Sequence, residues 1–160
     1  MAKSTKPTTV TSSTIVKPVK IRPWKESDRP FLRTLYLHAR RAAWPWLDDS
    51  AWRLEDFDAA TLNEQIWVAI DAGHRVGFAS VAVNDNFLHC LFVDPHYQGQ
   101  GAGKALLEHV QQTFTSTGAL KCLVKNSRAV EFYQRQGWHI EATGESPDGE
   151  YYLMHYRLPG

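Results

Sequence analysis

Residues 88–104 read LHCLFVDPHYQGQGAGK, in which a short apolar run is followed by a turn with three glycines at alternate positions. The apolar run predicts a strand, and the residues after the turn predict the start of a helix. Glycines let a ligand approach the backbone closely, and the first N–H groups of a helix have no partner within the helix. The stretch therefore predicts an anion site, with a phosphate or pyrophosphate as the expected ligand.

The spacing of these glycines argues against two common nucleotide-binding loops. A Walker loop requires Gly at position 98 and Ser or Thr at position 105, but this chain has Gln98 and Ala105 there. The dinucleotide pattern G-x-G-x-x-G fails in both registers, because Lys104 and Leu106 stand where its last glycine belongs. Neither a P-loop nor a Rossmann site is expected.

A second motif follows at a separation suited to a strand-helix-strand unit. Residues 120–138 read LKCLVKNSRAVEFYQRQGW. The segment Gln98-x-x-Gly101-x-Gly103 resembles the Q/R-x-x-G-x-G/A signature of the GCN5-related N-acetyltransferases. The second motif is similar to the same family's strand followed by N-x-x-A-x-x-F-Y-x-x-x-G-F/W. With both motifs in the right order, the chain resembles small bacterial stand-alone members of that family.

The resemblance implies an α/β fold, whose mixed and mostly antiparallel sheet has about six to seven strands and is flanked by about four helices. A central parallel pair of strands is expected to splay apart. The pattern of hairpins followed by a βαβα unit agrees with this architecture. A chain of 160 residues predicts one domain, over residues 18–160. Residues 1–17 are rich in Ser, Thr, Lys and Pro and predict a disordered tail.

Acetyl-CoA is the cosubstrate that the resemblance implies. Its pyrophosphate would lie on backbone N–H groups from Gln98 to Lys104, and its pantetheine arm would bond the backbones of Leu91 and Val93 like an added strand. The N–H of Leu91 would then donate to the thioester oxygen. The expected cofactor-binding residues are Leu91, Phe92, Val93, Gln98, Gly99, Gln100, Gly101, Ala102, Gly103, Lys104, Asn126, Ala129 and Phe132.

Tyr133 and His89 are the expected catalytic residues. Tyr133 matches the family tyrosine that donates a proton or hydrogen bond to the departing sulfur, and its alternative role is packing beside Phe132. Strand alternation predicts His89 on the same face as Leu91 and Val93, where an imidazole can take up the amine proton directly or through water. A histidine that only fills space in the cleft, or a proton path through water alone, is the alternative.

The resemblance also implies that a primary amine attacks the thioester directly in a ternary complex. An aromatic and acidic segment would recognise this acceptor, since aromatic faces and carboxylates suit a cationic amine. The alternative is that its tryptophans fill the core and its acids are merely solvated. The loop at residues 145–150 would supply another part of the acceptor site. The residues of the segment are Trp44, Trp46, Asp48, Asp49, Trp52, Glu55 and Asp56.

A different class of protein is a non-catalytic acyl-CoA-binding regulatory or partner-binding module on the same fold. Retention of Tyr133 and of the motif glycines weighs against it. The sequence leaves the acceptor, the acyl-chain preference and the oligomeric state open, and a homodimer is among the alternatives.

Composition restricts the partners further. Six of the 18 basic residues precede Glu26, the first of 17 acidic residues, so the rest of the chain is net negative and no specific nucleic-acid partner is expected. No apolar run is long enough for a signal peptide or a membrane span, so no membrane partner is expected.

Cys90 and Cys122 lie in predicted strands and indicate buried thiols in a cytoplasmic, reducing compartment. The histidines lack metal-ligand spacing, so no metal is expected.

Overall fold

Seven strands form one sheet in the computed structural model, which describes residues 19–159. Their order across the sheet is β1-β2-β3-β4-β5-β7-β6, and neighbouring strands are antiparallel except for β4 and β5, which run parallel. The predicted mixed sheet with a parallel pair is confirmed. The tail predicted for residues 1–17 lies outside the described residues. The strands are β1 (Lys20–Pro23), β2 (Gln65–Asp71), β3 (His74–Ala82), β4 (Phe87–Val93), β5 (Gly118–Leu123), β6 (His139–Ser146) and β7 (Gly149–Tyr156).

Four α-helices cover the two faces of the sheet within these residues, as predicted. Helices α1 and α2 pack on one face, where Leu32 and Phe57 meet Phe78 and Cys90. Helices α3 and α4 contribute to the apolar cluster on the other face. Apolar residues on one side of each helix face the sheet because burying them stabilises the fold. The helices are α1 (Arg29–Ala43), α2 (Asp56–Ala60), α3 (Ala102–Thr113) and α4 (Ser127–Arg135).

Helix α1 ends where the sequence predicts. Trp44 precedes Pro45, and the proline ring disfavours helical backbone at the residue before it. Trp44 accordingly has φ −127° and ψ 59°, and its N–H closes the last turn on the carbonyl of Arg40 at 2.8 Å. The end of the helix places Trp44 at the site described below.

The parallel pair separates soon after it forms. Phe87 lies opposite Ala119 and Leu88 lies opposite Leu120, and these two positions are the whole of the β4–β5 pairing in residues 19–159. Farther along, β4 pairs with β3 on its other side, and β5 pairs with β7. A cleft opens between the two strands, and this confirms the predicted splay.

A β-bulge interrupts β4 at the same level. Ser80 of β3 lies opposite Cys90, and Val81 lies opposite Leu88, so His89 is the extra residue. Leu88 and Leu91 therefore pack in the same apolar cluster although they are three residues apart. The prediction that His89 shares a face with Leu91 and Val93 is wrong, because the bulge breaks the two-residue alternation on which it rested.

Candidate active site

A cleft of about 1150 Å³ lies where β4 and β5 diverge. It is lined by His89, Tyr133 and every predicted cofactor-binding residue except Gln100, which is exposed in the turn. Both sequence motifs therefore lie on one cavity. The lining residues that carry the predictions are Leu91, Phe92, Val93, Gln98, Gly99, Gly101, Ala102, Gly103, Lys104, Asn126, Ala129 and Phe132.

The glycine turn has the backbone geometry that an anion site requires. Gly99 has φ +81° and Gly101 has φ +88°, a left-handed conformation that strains any residue with a Cβ. Helix α3 starts directly afterwards, and the N–H of Ala105 bonds the carbonyl of Gly101 at 2.9 Å. The N–H groups of residues 102–104 have no carbonyl one turn before them within the helix. Together with the helix dipole, they favour an anion at this end of the cleft.

Gly103 shapes the cleft wall. A Cβ on this residue would lie 3.6 Å from Cγ2 of Val93 and 3.7 Å from Cζ of Phe132, which are ordinary contact distances. A side chain would therefore fit against the protein. It would extend along the cavity between β4 and α4, however, so glycine keeps this space open for a ligand.

Tyr133 lies on α4, whose N-terminus is capped by the second motif. The side-chain oxygen of Asn126 accepts a 3.3 Å hydrogen bond from the N–H of Ala129 and so fixes the start of the helix. The Tyr133 ring packs at 5.3 Å from Phe132 and 6.1 Å from Trp138, measured between ring centroids. Within residues 19–159, the structure gives its hydroxyl no hydrogen-bond partner. Burial raises the pKa of Tyr133 well above its ordinary value, so the phenol is a proton donor at neutral pH.

His89 has an acidic partner that the sequence analysis missed. Its Nδ1 lies 3.2 Å from Oε1 of Glu64, and the same oxygen accepts a 2.5 Å hydrogen bond from the hydroxyl of Ser80. Glu64 directly precedes β2, and the pairing of β2 with β3 and of β3 with β4 brings the three residues together. Glu64 carries no motif of its own, so only the register of the strands could have identified it.

The predicted acceptor segment reaches the cleft through one residue. Trp44 lines the cleft, and its ring lies 5.7 Å from that of Phe92 and 6.3 Å from that of Trp52. The other six predicted acceptor residues are not among the described lining residues.

Three of the four acids of this segment have partners within the protein. Asp48 accepts a hydrogen bond from the N–H of Ser50, and Asp49 pairs with Arg41 at 2.9 Å. Asp56 pairs with Arg40 at 3.3 Å. The carboxylates that line the cleft are instead Glu131, Glu145 and Asp148. Glu145 lies near the end of β6 and Asp148 in the β6–β7 turn, so both belong to the segment 145–150 that was predicted to contribute to the acceptor site.

The two cysteines lie on the strands that diverge. Cys90 and Cys122 are free, buried thiols at the cleft wall, and burial raises the pKa of each to about 12. Among residues 19–159, no cluster of three histidine, cysteine or carboxylate side chains could hold a metal ion. None of the described helices is both long and apolar enough to cross a membrane.

Comparison with known proteins agrees with the fold and the cleft. The model of the Acetyltransferase (GNAT) family matches residues 26–138, and the chain belongs to this family. It is an acetyl-CoA-dependent N-acetyltransferase, as the two sequence motifs predicted. It is 35% identical over 125 residues to the peptidyl-lysine N-acetyltransferase YiaC of Escherichia coli (strain K12), in an alignment that covers 75% of this chain and 83% of YiaC.

Two solved structures share the fold. The apo-form of YjaB from Escherichia coli superposes with a TM-score of 0.73 at 22% identity and covers 87% of this chain and 97% of YjaB. The PaiA N-acetyltransferase from Thermoplasma acidophilum, solved in complex with coenzyme A, superposes with a TM-score of 0.72 at 17% identity. That alignment covers 88% of this chain and 99% of PaiA. These likenesses confirm the predicted fold class.

Proposed function

We propose that this enzyme transfers the acetyl group of acetyl-CoA to a primary amine, in a ternary complex and without an acetylated protein intermediate. One observation carries the proposal. The glycine turn, the Tyr133 phenol and the His89 imidazole line a single cleft. An anion site, a proton donor and a proton acceptor are the groups that direct aminolysis of a thioester requires.

The cosubstrate would span the cleft from the glycine turn to the diverging strands. Its pyrophosphate would lie on the N–H groups of residues 98–104, close to the ammonium group of Lys104. Its pantetheine arm would run along β4, whose edge toward β5 is unpaired beyond Leu88 among the described residues. The N–H of Leu91 would donate to the thioester oxygen as negative charge develops on it.

Two proton transfers would accompany the acetyl transfer. His89 would take a proton from the amine, directly or through a water molecule, and the amine nitrogen would form a bond to the acetyl carbon. As the carbon–sulfur bond breaks, Tyr133 would donate a proton to the sulfur, and coenzyme A would leave as a thiol. The high pKa of Tyr133 keeps that proton in place until the sulfur gains charge.

A lysine side chain is the acceptor class that we propose. The similarity to a peptidyl-lysine N-acetyltransferase supports it, as does the composition of the cleft. Glu145 at the end of β6, Asp148 in the β6–β7 turn and Trp44 after α1 all line it. Carboxylates attract an ammonium group, and an aromatic face attracts it as well.

A thiol-release assay over a panel of amines tests the proposed function. We expect coenzyme A release with lysine-containing peptides, and a loss of roughly 10²–10⁴-fold in kcat for Tyr133→Phe.

The dependence of kcat/KM on pH, compared between wild type and His89→Ala, tests whether His89 is the base. An unchanged profile would remove His89 from the mechanism. Thermal stabilisation by acetyl-CoA with no thiol release from any amine would favour a non-catalytic module.

A further inference from the structure

We propose that Glu64 is a positioning residue that holds His89 in one tautomer, with the proton on Nδ1 and the lone pair on Nε2. This inference rests on the proposed function, because it assigns the nitrogen through which His89 would accept the amine proton. Glu64 would not touch the substrate. It would act through the imidazole ring.

The burial of the three side chains supports a fixed arrangement. The Ser80 side chain is fully buried, the Glu64 side chain is 14% exposed and the His89 side chain is 43% exposed. Glu64 is thus held between a buried hydroxyl and a ring that lines the cleft. An ionised carboxylate in this position needs hydrogen-bond donors, because burying a charge without a partner is strongly unfavourable.

The proton assignment follows from the chemistry of the contact. An ionised carboxylate only accepts hydrogen bonds, so Nδ1 of His89 must donate to Oε1 of Glu64. In a neutral imidazole the other nitrogen, Nε2, then carries the lone pair. The Ser80 hydroxyl donates to the same oxygen and restricts the rotation of the carboxylate. After proton uptake, the negative charge of Glu64 would stabilise the imidazolium.

The β-bulge is what allows the contact. In a regular strand, alternation would place residue 89 on the opposite face from Cys90, where its side chain would not reach Glu64. The bulge therefore directs this side chain toward the acid that precedes β2.

Nitrogen NMR of the cofactor-free protein tests the tautomer independently of activity. With ¹⁵N-labelled histidine, and at a pH where His89 is neutral, we expect the wild-type signals to indicate Nδ1–H. In Glu64→Ala the signals should move toward Nε2–H or an exchanging mixture. Ser80→Ala should shift them in the same direction by a smaller amount. Wild-type signals of the Nε2–H form, or signals that Glu64→Ala leaves unchanged, would overturn the proposal.

The chain offers a matched control in a second Glu–His pair. Glu141 of β6 lies 3.9 Å from Nδ1 of His155, both side chains are about one-third exposed, and neither lines the cleft among the described residues. Glu141→Ala should leave both the His89 signals and the turnover at wild-type values. Thermal melting of each variant identifies any loss of folding, and Ser80→Ala provides a second route if Glu64→Ala is unstable.

Kinetics add a readout that simple destabilisation would not give. We expect Glu64→Ala to lower kcat with a lysine peptide by roughly 10–100-fold, which is less than the loss expected for His89→Ala. The KM for acetyl-CoA should stay within about twofold of wild type. In Glu64→Ala/His89→Ala the two losses should not add, because both act through one group. Additive losses would overturn the positioning role. If the tautomer responds as expected but no amine is acetylated, the proposed function fails while the tautomer assignment stands.

Discussion

The Asp28 carboxylate accepts a 2.6 Å hydrogen bond from Nε of Arg75, a residue 47 positions farther along the chain. Two bonds from Arg22, at 2.8 and 2.9 Å, and one from the N–H of Lys25, at 2.7 Å, complete its environment. Asp28 is fully buried at the start of α1. It therefore joins that helix to strands β1 and β3, on the face of the sheet from which α1 extends to the cleft.

Asp28→Asn should lower the free energy of unfolding by about 2–4 kcal/mol at pH 7, because two guanidinium groups lose their buried partner. The hydrogen bonds from Arg22, and then those from Arg75 and Lys25, hold the pKa of Asp28 well below its ordinary value. A lowered pKa contributes stability above the ordinary carboxyl pKa and loses it at lower pH. The difference in the free energy of unfolding between wild type and Asp28→Asn should therefore shrink progressively below about pH 4. Urea unfolding at several pH values measures it.

Asp85→Asn is the control for this substitution. Asp85 is exposed and has no ion-pair partner among the described residues, so its variant should unfold within about 0.5 kcal/mol of wild type. Equal effects of the two substitutions would contradict the role assigned to Asp28.

Gly101→Ala should weaken coenzyme A binding by roughly tenfold or more, because a Cβ at φ +88° costs about 1–2 kcal/mol and shifts the amides at the start of α3. Gly73→Ala is a matched control. Gly73 has φ +83°, has equally open surroundings and lies in the β2–β3 turn away from the cleft. Both variants should lose similar stability in thermal melts. Calorimetric titration with coenzyme A should detect weaker binding in Gly101→Ala alone.

Tyr133→Phe should lower kcat strongly while stability stays close to wild type, since the hydroxyl has no protein partner among residues 19–159. Tyr156→Phe is the control, because Tyr156 packs at 5.5 Å from the same Trp138 ring and does not line the described cleft. Burial raises the pKa of Tyr133, so this phenol should cause no loss of wild-type activity up to about pH 10. Steady-state kinetics across pH would reveal a decline that contradicts this expectation.

Trp44→Ala should raise the KM for the amine by about tenfold, equivalent to roughly 1.4 kcal/mol, and should change the KM for acetyl-CoA much less. Trp46→Ala removes a neighbouring, exposed tryptophan that does not line the described cleft. It should leave both constants near their wild-type values. A parallel rise of both KM values in Trp44→Ala would indicate a collapsed loop instead of a lost acceptor contact.

Local sequence signals predicted most of the fold. The apolar run before the glycine turn forms β4, and Pro45 marks the end of α1. Residues 54–64 also predict a short helix, and the structure has it only over Asp56–Ala60. Helix ends depend on capping and on tertiary contacts, which periodicity does not report.

The lining of the cleft could be predicted where it depends on backbone motifs, but not the contacts that depend on strand register. Motif glycines and Tyr133 could be read directly from their spacing. The contact between Glu64 and His89 could not, because it requires the pairing of three strands and a bulge between them. The partners of the acids after α1 could not be predicted for a related reason. A sequence shows their charge but not the arginines that neutralise Asp49 and Asp56.

The buried thiols of Cys90 and Cys122 have a consequence for repeated turnover. Acetyl-CoA bound in the cleft would bring its thioester close to two cysteines. Transfer of the acetyl group to either sulfur, with release of coenzyme A, would divert it from the amine. Attack on the thioester requires the thiolate, and with a pKa of about 12 the ionised fraction near neutral pH is on the order of 10⁻⁵. The two thiols therefore do not compete with the amine, and a colorimetric thiol reagent added to the folded protein should report coenzyme A instead of cysteine.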